Sequence, residues 1–307
     1  MPIESTTSLF INGDLKLNPI QRARYYWHHY RRNIRENGPP LAREIYWPPT
    51  SQDCEPTLDK LTFNRTPTRL LCNIFWSLVD WKLLAQEMGP LRIHDMGCGS
   101  GRYGLLIREA ATVPVSYHGF DIAAYDSWDG YSDENTKMST FDGQDFASTF
   151  FEKPNLFITQ SALEHIPGDL TYFKAAAEYC SGLDKALQIH MVPPSKGLWQ
   201  WGPHGWRQYN RTMLRKFEAA LPPGMTMTVF CLGGGELVKL HRKWAHRRFL
   251  VKKIKKDPVY QQKYKSEWID AIDRSAPVGV DEAAFLAIVV EKGFSPPMWQ
   301  RLLKSRR

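Results

Sequence analysis

The 307-residue chain is 43% hydrophobic and 23% charged with a formal net charge of +8, the balance of a globular domain with additions and not of a disordered chain. Its cysteines, Cys54, Cys72, Cys98, Cys180 and Cys231, are widely spaced and never form C-x-x-C, so neither a disulfide framework nor a metal site is expected. No run has the length of a membrane span and the first residues lack a basic-then-apolar leader pattern, so a cytoplasmic location is expected, while the positive balance admits a polyanionic partner.

The first predicted element is a basic amphipathic helix from Pro19 to about Glu36. Ile20, Ala23, Trp27, Tyr30 and Ile34 recur every three or four residues among five arginines, and this stripe is expected to dock on the core while the arginines stay solvated. A lid or polyanion-contacting element is the alternative. Gly38-Pro-Pro ends the helix, and the Pro-rich stretch to Pro56 reads as a loop. A second helix is expected from Pro67 to Met88, with Leu70, Leu71, Ile74, Leu78, Trp81 and Leu84 inward.

At Leu91-Arg-Ile-His-Asp-Met-Gly-Cys-Gly-Ser-Gly-Arg-Tyr-Gly104 an apolar strand turns through alternate glycines into a helix. Gly97, Gly99 and Gly101 can take positive φ and admit a ligand to the backbone, and the helix beginning near Arg102 aims free N–H groups at the same place. Gly99-x-Gly101-x-x-Gly104 also has the spacing of a dinucleotide site, a weak signal alone. Asp95 argues against it, because a carboxylate before the first glycine repels a pyrophosphate and suits the ammonium of an amino-acid-bearing cofactor.

The arrangement D-x-G-x-G-x-G resembles the first motif of class I S-adenosylmethionine-dependent methyltransferases. The resemblance implies a Rossmann-like α/β fold, a seven-stranded, mostly parallel sheet with helices on both faces and a last antiparallel strand, to which this sequence adds N-terminal helices and a helical insertion before the last strand. It implies S-adenosyl-L-methionine as cofactor, with Asp95, Gly97, Cys98, Gly99 and Gly101 in contact. Asp121 closes the next strand, Val115 to Phe120, where it can accept from ribose hydroxyls, with Ile122 beside it. After a polar loop over 123–137 and a short strand, Met138 to Phe141, Gln144 and Asp145 are expected near the adenine ring.

The stretch Asn155-Leu-Phe-Ile-Thr-Gln-Ser-Ala-Leu-Glu-His165 resembles the fourth-strand motif of small-molecule methyltransferases, with Asn155 where those families usually carry Asp. Gln160, Ser161 and Ala162 are expected at the cofactor. His165 and, on the strand Ala186 to Val192, His190 are the candidate bases, since an imidazole titrates near operating pH. The Gly/Pro-broken aromatic loop 197–209 reads as a substrate lid, offering Trp201, His204, Trp206 and Tyr209 to an acceptor with Glu164. A helix Arg211 to Leu221 and strands Met225 to Leu232 and Ala283 to Val290 complete the expected sheet.

These readings divide the chain into an N-terminal extension (1–66), a core (67–235 and 276–307) and a basic insertion (236–275). Residues 239–256 hold Lys239, Arg242, Lys243, Arg247, Arg248, Lys252, Lys253, Lys255 and Lys256 without one acid, and could meet an anionic membrane surface or polyanion, making the protein peripheral there. The activity expected is methyl transfer to a hydroxyl or amine of a small-molecule or glycan-type acceptor. The alternatives are an RNA methyltransferase using the basic insertion and a NAD-binding or non-catalytic domain. The Asn-Pro-Pro-aromatic and Pro-Cys patterns of base methylation are absent, as are H-E-x-x-H, a phosphate-loop G-K-[ST] and G-x-S-x-G,.

Overall fold

A computed structural model describes residues 3–35, 38–59, 66–245 and 257–303. The chain opens with a strap over 3–18, helix α1 (Pro19–His28) and a π-helical turn (His29–Arg35). Asn18 caps α1 by accepting from the Gln21 N–H while the Gln21 side chain accepts from the Asn18 N–H, a reciprocal capping box with Pro19 in the first turn,. There follow β1 (Glu44–Trp47), α2 (Ser51–Asp59), α3 (Pro67–Leu78), α4 (Trp81–Met88), β2 (Leu91–Met96), α5 (Arg102–Ala110), β3 (Val115–Asp121), β4 (Thr136–Thr140), β5 (Leu156–Gln160), α6 (Asp169–Ser181), β6 (Ala186–Val192), α7 (Leu198–Trp201), α8 (Arg211–Ala219), β7 (Met225–Leu232), α9 (Gly235–Ala245), α10 (Pro258–Asp273) and β8 (Phe285–Lys292).

The strands form one sheet in the order β1-β7-β8-β6-β5-β2-β3-β4. Strand β8 runs antiparallel to both β6 and β7, and every other pairing is parallel. The carboxyl ends of β2 to β6 therefore share one edge. Strand β2 lies between β3 and β5, the point where the winding reverses, and such a switch point opens a crevice outside the strand ends. Every residue of β5 and β6 is buried, as expected of parallel strands covered on both faces.

One face carries α2, α3, α4, α5, α9 and α10 through a core containing Leu70, Phe75, Trp76, Ile107, Leu237 and Trp268. The other carries α6 and α8 through Phe157, Phe173, Ala176, Leu214 and Phe217. The inward residues expected of the helix at 67–88 are all buried, but Val79 and Asp80 divide it into α3 and α4, with Asp80 capping α4 by accepting from the Leu83 N–H.

Two expectations need correction, and a third falls partly outside the described residues. The sheet has an eighth strand, because Glu44-Ile-Tyr-Trp, within the stretch read as loop, pairs with β7 from Val229 to Leu232; β-formers flanked by prolines suit an edge strand. Helix α1 docks by the opposite face. Tyr25 and His29 are buried, whereas Ile20, Trp27 and Tyr30 stay exposed, since the buried pair makes hydrogen bonds and ring contacts that the apolar stripe cannot. In the insertion, α9 buries Leu237, Leu240, His241 and Trp244, while residues 246–256, with most of the basic run, lie outside the described residues.

Candidate active site

The crevice is built first from the turn after β2. Gly97, Gly99 and Gly101 take φ of +79°, +53° and +78°, the left-handed region that favours glycine. A Cβ on Gly97 would lie 2.5 Å from the Ala162 Cβ, and one on Gly101 2.5 Å from the Met138 Cε, so these two are held by their neighbours. At Gly99 a Cβ would meet nothing within 4 Å: its backbone faces open space. The turn is pinned from behind by the Trp128 indole N–H to the Gly99 carbonyl (2.8 Å), the Ser127 hydroxyl to the Ser100 carbonyl (2.8 Å) and the Gly99 N–H to Asp121 Oδ2 (2.8 Å).

Asp121 keeps acceptor capacity on Oδ1, which takes only a long contact from the Ala123 N–H at 3.4 Å. Beside it Ile122 is 77% exposed, an aliphatic side chain left at the crevice wall. Gly143 lies against it, with φ +83° and its Cβ direction 3.9 Å from Ile122 Cγ2. Gln144 and Asp145 follow on an exposed loop. Cys98 is buried.

Asp95, expected to pair with the cofactor's ammonium, has one carboxyl oxygen engaged and one without a protein partner. It is buried, its Oδ2 accepts the Tyr117 hydroxyl at 2.5 Å, and Oδ1 has no protein partner. Burial, opposed by that hydrogen bond and assisted by the Asp121 charge, raises its pKa to about 7,. Its evident service is to hold the Tyr117 ring, against which Gly104 packs so closely that a Cβ there would lie 2.5 Å from the ring.

At the end of β5, Gln160 accepts the Trp76 indole N–H at 2.8 Å, leaving its own buried amide nitrogen without a protein partner. Ser161 takes φ +56°, strained for a residue with a Cβ, by roughly 1–2 kcal/mol. That twist turns the chain into a 3-10 segment, Leu163–His165. The Ser161 hydroxyl donates to Glu164 Oε1 (2.9 Å), and the fully buried Glu164 keeps Oε2 without a protein partner.

Two imidazoles converge there. The His165 and His204 rings stand edge to face with centroids 4.6 Å apart, and each Nε2 lies 3.9 Å from Glu164 Oε1. Asp14, from the N-terminal strap, sits against their Nδ1 atoms, at 2.6 Å from His165 and 3.5 Å from His204. The strap is tied down by the Gly13 N–H to the Gly205 carbonyl (2.6 Å) and by the Gly205 N–H to Asp14 Oδ1 (3.0 Å). Burial disfavours both imidazolium ions, yet the two nitrogen bases diverge. The Asp14 hydrogen bond and the Glu164 and Asp14 charges outweigh burial at His165 and raise its pKa. At His204 burial and the neighbouring His165 outweigh the carboxyl groups and lower it. Such divergence within one cluster makes His165 the stronger base of the two and His204 the weaker,.

The other expected site residues are arranged differently. His190 is fully buried, bonded at Nδ1 to Thr159 Oγ1 and at Nε2 to Gln188 Oε1, and burial holds it neutral, its pKa down to about 3. It is a core residue, not a base at the crevice. Tyr209 is also buried, donating to Asp169 Oδ2 at 3.0 Å, and Trp201 packs edge-on against His241 and Phe285; both brace the lid. Trp206 is half-buried, and its N–H donates to the Glu164 carbonyl at 2.8 Å.

Four residues that sequence reading missed complete the arrangement. Asp14 and Trp128 act as described. The Tyr25 hydroxyl donates to the His204 carbonyl at 2.8 Å. Arg207, buried, pairs with buried Asp169 at 3.1 Å and donates to the carbonyls of Ile166 and Pro167, joining the lid to the loop after His165. A cavity of about 90 Å³ lined by Arg92, His94, His118 and Lys137 lies towards the strands' starts and is too small for a nucleoside.

No family model matches the chain, and no curated protein does. Similar solved structures include the plantazolicin methyltransferase BamL in complex with a triazolic analogue and S-adenosylhomocysteine, at 10% identity over 90% of this chain and 92% of that one, TM-score 0.41. Another is phosphoethanolamine N-methyltransferase 2 of Haemonchus contortus with phosphomonomethylethanolamine and S-adenosylhomocysteine, at 12% identity over 78% and 60%, TM-score 0.41. A third is the [4+2]-cyclase SpnF, at 13% identity over 69% and 79%, TM-score 0.37. These likenesses are too distant to carry an argument about activity. The strand order β4-β3-β2-β5-β6-β8-β7, the reversed β8 and the glycine turn at the switch point make this a doubly wound, Rossmann-like α/β fold.

Proposed function

We propose that the protein is an S-adenosylmethionine-dependent methyltransferase that acts on a hydroxyl or amine of a small acceptor. The observation that carries the reading is one of placement. A glycine turn open at Gly99, an acid with spare acceptor capacity at Asp121 and an imidazole pair of opposed basicity stand at the ends of three adjacent strands, β2, β3 and β5. The residues fit the cofactor. Asp121 Oδ1 suits ribose hydroxyls, Ile122 and the Gly143–Asp145 loop suit the flat adenine, and the unpartnered Gln160 amide and Asp95 Oδ1 suit the polar amino-acid end.

The bound cofactor supplies a sulfonium-activated methyl group. This chain has to bring an acceptor atom into line with it and manage the acceptor's proton, and positioning is the larger part of such catalysis. His204, neutral near pH 7, takes the proton that the hydroxyl or ammonium loses as its oxygen or nitrogen gains the methyl. The Asp14 and Glu164 carboxyl groups favour the imidazolium that results. His165, whose imidazolium the Asp14 hydrogen bond favours, fixes the strap and orients the pair. The buried Arg207–Asp169 pair keeps the lid loop registered against the end of β5.

Calorimetric titration with S-adenosylhomocysteine tests the reading. Saturable binding with one site per chain is expected, and binding of NAD in its place would overturn it. His204→Ala should leave that affinity unchanged while slowing methyl transfer by roughly 10²–10⁴.

A further inference from the structure

We infer that the outward face of α1 and its π-helical continuation docks on an anionic lipid surface. Between Pro19 and Arg35 the chain has five arginines and no acid. The inner side of the helix is occupied, because Tyr25 and His29 are buried beneath it and the Tyr25 hydroxyl is bonded to the lid backbone at His204 and Gly205. The opposite side carries Ile20, 71% exposed, and Trp27, 62% exposed, seven residues apart and therefore on one face,. Tyr30 continues that face, 45% exposed. Arg24 and Arg31, three residues before Trp27 and four after it, flank the stripe, are exposed, and make no salt bridge among the described residues.

An indole and an aliphatic side chain held in water at the centre of a cationic helix face match the interfacial pattern, in which apolar residues enter the headgroup boundary and arginines meet anionic lipid. Other exposed apolar side chains lie on segments next to the helix. Trp199 of the lid is half exposed and stacks on Tyr26 at 6.2 Å, and Leu15 of the strap is 65% exposed. A nucleic acid would satisfy the arginines but leave Ile20 in water. A bilayer covers both. The face is separate from the glycine turn, so this docking stands or falls independently of methyl transfer.

Flotation of the full chain with vesicles of 3:1 phosphatidylcholine and phosphatidylserine at low salt tests it, beside vesicles of phosphatidylcholine alone. Binding at least 10-fold tighter to the anionic vesicles is expected. The pair Arg24→Glu and Arg31→Glu should weaken that binding at least 10-fold, as about 1 kcal/mol per basic residue implies. Ile20→Ser with Trp27→Ser should remove the part that survives raised salt, and neither pair should alter the circular dichroism or S-adenosylhomocysteine affinity. Absence of vesicle binding overturns the inference, as does binding unchanged in both pairs, which would assign docking elsewhere in the chain. Loss in both pairs of a self-association or of binding to single-stranded RNA, with vesicles ignored, would assign the face to a second copy or to nucleic acid.

Discussion

Replacing Gly99 by alanine separates what the glycine turn does for the fold from what it does for a ligand. Gly99 has φ +53° and a Cβ there meets no protein atom within 4 Å, so in the protein alone the change carries only the left-handed backbone penalty, roughly 1 kcal/mol. Gly224, with φ +82° and equally open space around its Cβ direction, sits in the turn before β7 and serves as the control. Gly99→Ala and Gly224→Ala should therefore lower the urea midpoint by similar amounts. If a cofactor lies across the β2 turn, the added methyl enters its volume, and forcing one methyl into a packed contact costs about 1–3 kcal/mol, or roughly 5- to 150-fold in affinity. Titration with S-adenosylhomocysteine should register that loss for Gly99→Ala and none for Gly224→Ala. Wild-type affinity in Gly99→Ala, with the stability loss present, would refute the placement of the cofactor.

Asp121→Ala should weaken S-adenosylhomocysteine by about 1–3 kcal/mol, because it removes an acceptor and also releases the Gly99 N–H,; an unchanged dissociation constant would remove Asp121 from the site. The pH profile of kcat/KM should rise through the ionisation of His204 with a midpoint below 6.5 and fall again above 6.5 as His165 loses the proton that holds Asp14. Because the folded pKa of His165 is raised, its contribution to stability is present below its unfolded value and lost as pH rises through the folded one. Asp14→Asn should therefore move the alkaline limb to lower pH; a limb that stays in place would exclude the Asp14–His165 pair as its cause. Arg207→Met leaves Asp169 buried without its cation and should destabilise the fold by about 3–5 kcal/mol in urea unfolding, since only the Thr6 and Tyr209 hydrogen bonds remain,. A loss under 1 kcal/mol would show that Asp169 is neutral in the folded protein.

The glycine turn, the succession of core strands along the chain and the acid at the end of β3 were legible in the sequence because each rests on local chemistry: alternating glycines after an apolar strand, short apolar runs between helical stretches, and a carboxylate at a strand end. Strand β1 escaped because four residues among prolines carry too little pattern, and only the β7 edge gives them a partner. Which histidine faces the crevice was not local information. His190 and His204 are alike as residue types, but β6 runs through the middle of the sheet and closes both ring nitrogens of one, while the lid leaves the other beside His165. Asp14 lies 151 residues from the imidazole it binds, and no spacing rule joins them. The periodicity of residues 19–35 established that a helix there has an apolar side; only tertiary structure decided that this side faces outward. A buried tyrosine hydroxyl must find acceptors, and the lid carbonyls that satisfy Tyr25 are formed by chain folded from elsewhere, so their position outranked the apolar stripe in choosing the face that docks.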